Sequence, residues 1–438
     1  MTDLFTPRPI LARWASFILM TAFLTGGAAI PAVAQTKVSF SVAKELGAFS
    51  QSVAAAASDD KAIASFYRDS DYAPIWTGTG HEARRSALLN ALAGAGAHGL
   101  PVRRYDPAAI IAASHAARTE GDRGRLDVMM TRAFLDYAHD VQTGALNPGK
   151  ILSLIKREVP VRDRRANLEA FLAGEPVAFL KSLPPRTQVY AQLMRAKFEL
   201  EQRVVSGGWG AQIAASSLKP GATGPAVLQL RDRLVALNYM PRSVTASYDA
   251  SIQKAVQAFQ TDMGLEPDGV AGESTINQLN IGPQARLEAV VVAMERERWM
   301  NIERGARHIW VNLTDFTAKI VDHGRVTFTT RSVIGKSSAD TQSPEFSDQM
   351  EYMVINPTWN VPRSITTKEY LPMMKRNPNA AGHLKIIDSR GRVVPRSAIN
   401  FAAYTERNFP FAMKQPPSNG NALGLVKFMF PNPYNIYL

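Results

Sequence analysis

The chain has 438 residues, 46% hydrophobic and 20% charged, which excludes a disordered or fibrous protein and predicts two or three globular domains. Its formal net charge of +12 suits nucleic acid, anionic lipid or an acidic polymer equally, so charge selects no partner. Cysteine is absent, which rules out disulfides and any thiolate nucleophile or metal ligand within these residues.

In residues 1–34, Arg8 and Arg13 precede an apolar run from Trp14 to Leu24, followed by the small-residue triplet Ala32-Val33-Ala34. A positive start, a short apolar stretch and an A-x-A ending predict a secretory signal cleaved after Ala34. The run is shorter than the roughly 20 residues a spanning helix needs, which makes an uncleaved anchor the weaker alternative. No later segment is apolar enough to span a bilayer, so the mature chain is expected outside the cytoplasm without a stable membrane span.

Residues 38–205 read as an α-helical domain: Ala, Leu and charged residues recur at three- and four-residue spacing, most clearly from Leu126 to Val141. Pro101, Pro107, Pro148, Pro184 and Pro185 punctuate it. Phe66, Tyr67, Tyr72 and Trp76 are expected to form an aromatic core cluster rather than a ligand platform. A glycine-rich linker is predicted over 205–217.

A compact unit follows at 218–280. Val227, Leu230, Leu234 and Leu237 share one helical face, Ile252, Val256 and Phe259 another, and a turn at Asp268-Gly269 leads into a third helix near Ser274. The motifs G-x-x-G-P-A-V, A-F-Q and D-G-V-x-G-x-x-T resemble the three-helix peptidoglycan-binding domain of bacterial wall enzymes. That resemblance implies binding to glycan strands or stem peptides.

Beyond Arg286, MERERWM ends a helix, and His308 to Gly335 is rich in β-branched and aromatic residues with a hairpin turn at His323-Gly324. Glu351 to Pro362 reads as a strand entering a loop, about 364–411 as an insertion, and NALGLVKFMFPNPYNIYL as two further short strands. RERWM, IWVNL, VIGKSSADTQSPEF, NPTWNVPRSI and the final segment together resemble the large periplasmic L,D-transpeptidases. The fold implied is α+β and multidomain: a helical scaffold, the three-helix binding domain, and over 290–438 a mostly β catalytic domain with a capping insertion.

The family's reaction is acyl transfer through a cysteine thiolate, with a histidine base and oxyanion donors, forming 3-3 cross-links between stem peptides. In the family the histidine follows directly on the strand ending here as NIYL, and the cysteine lies in a later S-x-G-C-x-R segment. The chain stops at Leu438, so catalytic His and Cys are expected to lie beyond it, the catalytic domain is expected to be incomplete, and this chain is expected to be inactive. A non-catalytic peptidoglycan-binding adaptor is the alternative. The truncation is also expected to open a sheet edge, exposing Val426, Phe428 and Phe430 and destabilising the region after Arg286 while the two earlier domains fold independently.

By resemblance, Trp359 in NPTW and Tyr437 in NIYL are substrate-binding candidates near the cleft, although Trp359 suits a core anchor equally well. Asn421-Ala422-Leu423-Gly424 suits a tight bend, and Lys414 replaces a family arginine, weakening bidentate recognition. A metal-dependent amidase is disfavoured: no two histidines lie closer than fifteen residues, and no H-E-x-x-H or H-x-x-E-H spacing occurs. No metal or other cofactor is expected. A two-carboxylate glycosidase is not excluded by motif but has no positive support. A nucleic-acid role conflicts with the export signal and lacks a recognisable binding motif.

Overall fold

The computed structural model describes residues 47–336 and 342–438; the export signal expected at 1–34 lies outside them. Within them the architecture is α+β and multidomain, helical first and small-sheet last. The helices up to Trp299, in chain order, are α1 (Ala48–Ala56), α2 (Lys61–Asp69), α3 (Glu82–Ala93), α4 (Ala108–Ala116), α5 (Glu120–Thr143), α6 (Pro148–Ile151), α7 (Arg164–Ala173), α8 (Pro176–Ser182), α9 (Gln188–Val205), α10 (Pro225–Ala236), α11 (Ala250–Asp262), α12 (Glu273–Asn280) and α13 (Pro283–Trp299). Among the described residues no helix is long and apolar enough to cross a membrane.

The axis of the helical body is α5, roughly 36 Å long at 1.5 Å per residue. A capping box starts it: Thr119 Oγ1 accepts from the Asp122 amide at 3.1 Å while the Asp122 carboxylate accepts from the Thr119 amide at 2.9 Å. Gly124 lets α1 cross closely, since a β-carbon there would stand 2.6 Å from the Phe49 carbonyl oxygen. The expected aromatic cluster forms, with Tyr67 and Trp76 fully buried and Phe134 stacked on Phe171 at 4.3 Å. A buried carboxylate organises its polar atoms. Asp127 accepts from the Tyr67 hydroxyl at 2.6 Å, from the amides of Ile75, Trp76 and Thr77 at 2.8–3.1 Å, and from the Thr77 hydroxyl at 2.8 Å. Five donors satisfy a charge that would otherwise be very costly to bury.

Structure and expectation part company at α13. Its RERW sequence was grouped with the C-terminal domain, but it belongs to the helical body. Glu295 accepts from Trp299 Nε1 at 3.0 Å, the Leu146 amide at 2.8 Å and Arg298 at 2.6 Å. Arg298, 1% exposed, also donates to the His98 carbonyl at 2.7 Å and the Tyr190 hydroxyl at 3.1 Å. Gly144 (φ +95°) makes room, because a β-carbon would sit 2.5 Å from Glu295 Oε1. The boundary of independent folding therefore cannot fall at Arg286 without stripping this helix from the scaffold.

The three-helix unit has its own core, built on Val227, Leu230, Leu234, Ile252, Val256, Phe259, Ile276 and Leu279. The expected linker is shorter than 205–217. Ile213 is buried in this core, its amide bonded to Asn280 Oδ1 at 2.9 Å, and Arg233 donates to Ala211 at 3.0 Å. Gly269 (φ +72°) supplies the expected turn, and Gln260 braces it by accepting from the Gly269 amide at 2.9 Å.

Among the described residues eight strands follow: β1 (Arg307–Asn312), β2 (Thr317–Asp322), β3 (Arg325–Arg331), β4 (Tyr352–Ile355), β5 (Trp359–Asn360), β6 (Lys385–Ile387), β7 (Ala412–Gln415) and β8 (Val426–Met429). They form antiparallel sheets ordered β1-β2-β3, β4-β8 and β5-β7-β6. The hairpin turn falls at His323 (φ +48°) and Gly324 (φ +78°), as expected from the dipeptide. The insertion is more organised than its mixed sequence suggests, with a core of Val361, Leu371, Met374, Leu384, Ile386, Ile399, Phe401, Phe409 and Met413.

The segment 342–350 is strapped to the helical body. Glu345 forms a parallel bridge with Ile155, its amide donating to Leu154 at 2.9 Å and its carbonyl accepting from Lys156 at 2.8 Å. Its carboxylate receives Arg157 at 2.5 Å and also Arg296. The second C-terminal strand does not form. Instead Asn432 Oδ1 accepts from the amides of Tyr434 and Ile436 at 3.0 and 3.2 Å, curling 430–436 into a stapled turn, and only Leu438 pairs with Phe428. Val426, Phe428 and Phe430 are half-buried rather than open: the first two lie in β8 paired with β4, and Phe346 packs near Phe430 and Tyr434. Exposed apolar side chains on the C-terminal strands include Val326 and Phe328 of β3 and Tyr352, Met353 and Ile355 of β4.

Two measurements test this account. Asp127→Ala leaves several buried donors without an acceptor and is expected to destabilise the helical body by about 3 kcal/mol or more, read as an earlier unfolding midpoint in denaturant. Burial, with Arg298 and Lys197 nearby, pushes His98 from 6.5 down to about 4. The folded protein thus binds fewer protons at this site than the unfolded chain between those values, so the stabilisation is complete above pH 6.5 and lost as pH falls to 4. His98→Gln is expected to flatten the difference between stability at pH 7 and at pH 4.5; an unchanged difference contradicts the assignment.

Candidate functional site

Strand periodicity decides where the C-terminal candidates point. In the β5-β7-β6 sheet, Trp359 pairs with Gln415, Asn360 and Lys385 with Lys414, and Ile386 with Met413. Alternate residues face opposite sides. Trp359, Gln415, Met413 and Ile386 therefore share the face turned to the insertion's core, against which Trp359 packs half-buried. The opposite face carries Asn360, Lys414 and Lys385.

The loop between β7 and β8 is held by two amide side chains. Buried Asn421 donates to the carbonyls of Pro357, Pro416 and Gln415 at 3.1, 2.9 and 3.3 Å and accepts from the Leu423 amide at 2.8 Å. Gln415 donates to Gly420 and accepts from Ala422, each at 2.9 Å. With Gly424 at φ +68°, the expected bend is present, and its asparagine ties β5's approach to β8. Gln415 was missed in the sequence; its only signal is a polar residue on the buried phase of a strand.

Tyr437 lies elsewhere, 38% exposed, with Lys427 Nζ 3.9 Å from its ring centroid. Partial burial pushes its hydroxyl above 10. Trp359 and Tyr437 thus stand at different sheets, one braced by the insertion and one beside β8. Among the described residues no group of His, Asp and Glu is arranged to hold a metal. Of the C-terminal histidines, His308 lies in β1, His323 in the hairpin turn and His383 just before β6.

A second candidate surface is an open shelf on the three-helix unit, lined by Asp232, Val235, Ala236, Arg242, Ser243 and Val244, with Val244 almost fully exposed. Residues 218–280 hold five basic and six acidic side chains, so this unit is nearly neutral. Residues 364–411 carry a positive excess, with eight basic against three acidic residues.

Comparison with known proteins gives three successive family matches: "Scaffold domain" over residues 61–196, "Putative peptidoglycan binding domain" over 223–279 and "L,D-transpeptidase catalytic domain" over 306–438. A Haemophilus influenzae protein described as "Putative L,D-transpeptidase" is 29% identical over 149 residues. That alignment covers 34% of this chain and 30% of the relative's length. With scaffold, binding and catalytic domains matched in one order along its length, the chain belongs to the L,D-transpeptidase family.

Proposed function

We propose that the protein is exported to the periplasm, binds peptidoglycan, and contributes no acyl transfer of its own through these 438 residues. The observation carrying this reading is the combination of three matched wall-associated domains with a sequence that has no cysteine. The 3-3 cross-linking of the family needs a thiolate to form the acyl-enzyme, and a serine or threonine hydroxyl is far less nucleophilic at neutral pH without a dedicated base. Wall contact is assigned to the shelf beside Arg242 and Val244, a concave apolar surface with polar groups at its rim. Trp359 and Tyr437 are assigned to stem-peptide contact around the C-terminal sheets. The exposed ring of Tyr437 under an ammonium group suits direct contact, and Trp359 borders the same domain from the insertion's side.

The test is sedimentation with purified sacculi, followed by muropeptide analysis. Most of the protein is expected to pellet, and to remain bound at about 0.5 M NaCl, because the binding unit is nearly neutral and long-range charge attraction is screened at that salt. Arg242→Ala with Val244→Glu is expected to reduce the pelleted fraction severalfold. New 3-3 cross-links or released D-alanine above a protein-free blank would overturn the inactive assignment, and failure of the wild type to pellet would overturn wall binding. Tyr437→Ala is expected to weaken capture of soluble stem peptides while leaving sacculus sedimentation unchanged.

A further inference from the structure

The helical body contains a pocket of about 230 Å³ where α8, the start of α9 and the 3-10 turn Ala95–His98 meet. Its rim carries two cations, Lys181 and Arg186, both exposed and neither in an ion pair among the described residues. Pro184, Pro185 and Met194 supply an apolar wall, and Tyr190 with His98 forms the inner side. The first turn of the 18-residue α9 opens here. Its N-cap Thr187 satisfies the Tyr190 amide at 3.1 Å, leaving the amides of Gln188 and Val189 without a protein acceptor among the described residues.

The surrounding acids are already engaged. Glu175 caps α8 through the Val177 and Ala178 amides, Glu201 pairs with Lys197, Glu295 with Arg298, and Glu297 with Arg304 while also accepting from the Thr187 hydroxyl at 3.2 Å. Lys181 and Arg186 place two positive charges at the rim against the one nearby acid that no ion pair engages among the described residues, Glu175, and His98 is kept neutral there by burial, Arg298 and Lys197. Such a site calls for a monoanion with a small apolar body: the anion meets two cations and a helix N-terminus, and the apolar part meets the prolines. A bare phosphate would leave the apolar wall unused.

We propose that this pocket binds the free terminal carboxylate of a short peptide with small aliphatic side chains, making the helical body a peptide-binding module in its own right. Its ligand class follows from its own lining and does not depend on wall binding through residues 218–280. The test is calorimetric titration of the full chain with acetyl-Ala-Ala as free acid, with the same peptide as its C-terminal amide, and with inorganic phosphate. The free acid is expected to bind saturably, and the amide and phosphate each at least tenfold more weakly. The doubly substituted chain Lys181→Gln, Arg186→Gln is expected to lose tenfold or more in affinity for the acid with an unchanged melting temperature, since both side chains are solvent-exposed. The assignment is overturned if the acid shows no saturable binding, if the amide or phosphate binds as well, or if the doubly substituted chain binds the acid unchanged.

Discussion

Glu295 and Arg298 on α13 are the contact through which the two halves of the described chain are assembled. Both are buried, and each is used several times: Glu295 holds Trp299, Arg298 and the Leu146 amide, while Arg298 reaches the His98 carbonyl and Tyr190. A buried ion pair is weak evidence of net stability, because desolvating both charges offsets much of their attraction. Its value here is positional. Leaving either charge alone in the interior is strongly unfavourable, so α13 is favoured in the register that brings both partners together. Gly144 makes that register possible, since any side chain there would collide with Glu295 and Trp299.

From this docked helix the rest of the C-terminal region takes its position. Arg296, one residue along from Glu295, reaches Glu345, which Arg157 and a backbone bridge to Ile155 secure from the helical side. The strap therefore ties 342–350 to the scaffold on two independent chemistries, backbone pairing and a shared carboxylate. Arg157 and Glu345 are mostly buried, 12% and 18% exposed, so this contact is less screened by salt than an ordinary surface pair. Motion between the helical body and the sheets must break several of these bonds together.

What could be read from the sequence was local. The helical face of Val227, Leu230 and Leu234, the His323-Gly324 turn and the Tyr67–Trp76 cluster were all legible because period and turn chemistry act over a few residues. What could not be read was non-local. Ile213 looked like linker because its partners are 67 residues away at Asn280 and beyond. RERW looked like the end of a catalytic-domain helix because nothing in four residues announces Gly144, Tyr190 and His98. The 364–411 insertion showed no clear pattern of elements because its core gathers Leu371, Ile386, Ile399 and Phe409 from short elements, none long enough to show a period. The final NIYL was read as a strand from its composition, yet Asn432 competes for the same backbone groups and wins, since its side chain satisfies two amides within four residues.

The same competition bears on Trp359. A residue that resemblance places near a cleft also lies on the phase of β5 that faces a packed core, with Gln415 directly across. The two descriptions are compatible if the insertion is a cap whose underside is set by the sheet: the indole then fixes where the cap sits, while the opposite phase presents Asn360, Lys414 and Lys385. Lys414 and Lys385 are directly opposed like charges, an arrangement that costs stability in a sheet unless an anion or solvent separates them. Two lysines make that face a pair of point charges rather than a planar fork, which attracts an anion but orients it only loosely. On this sheet, core-facing and outward residues alternate, and a single-residue shift in register would exchange them.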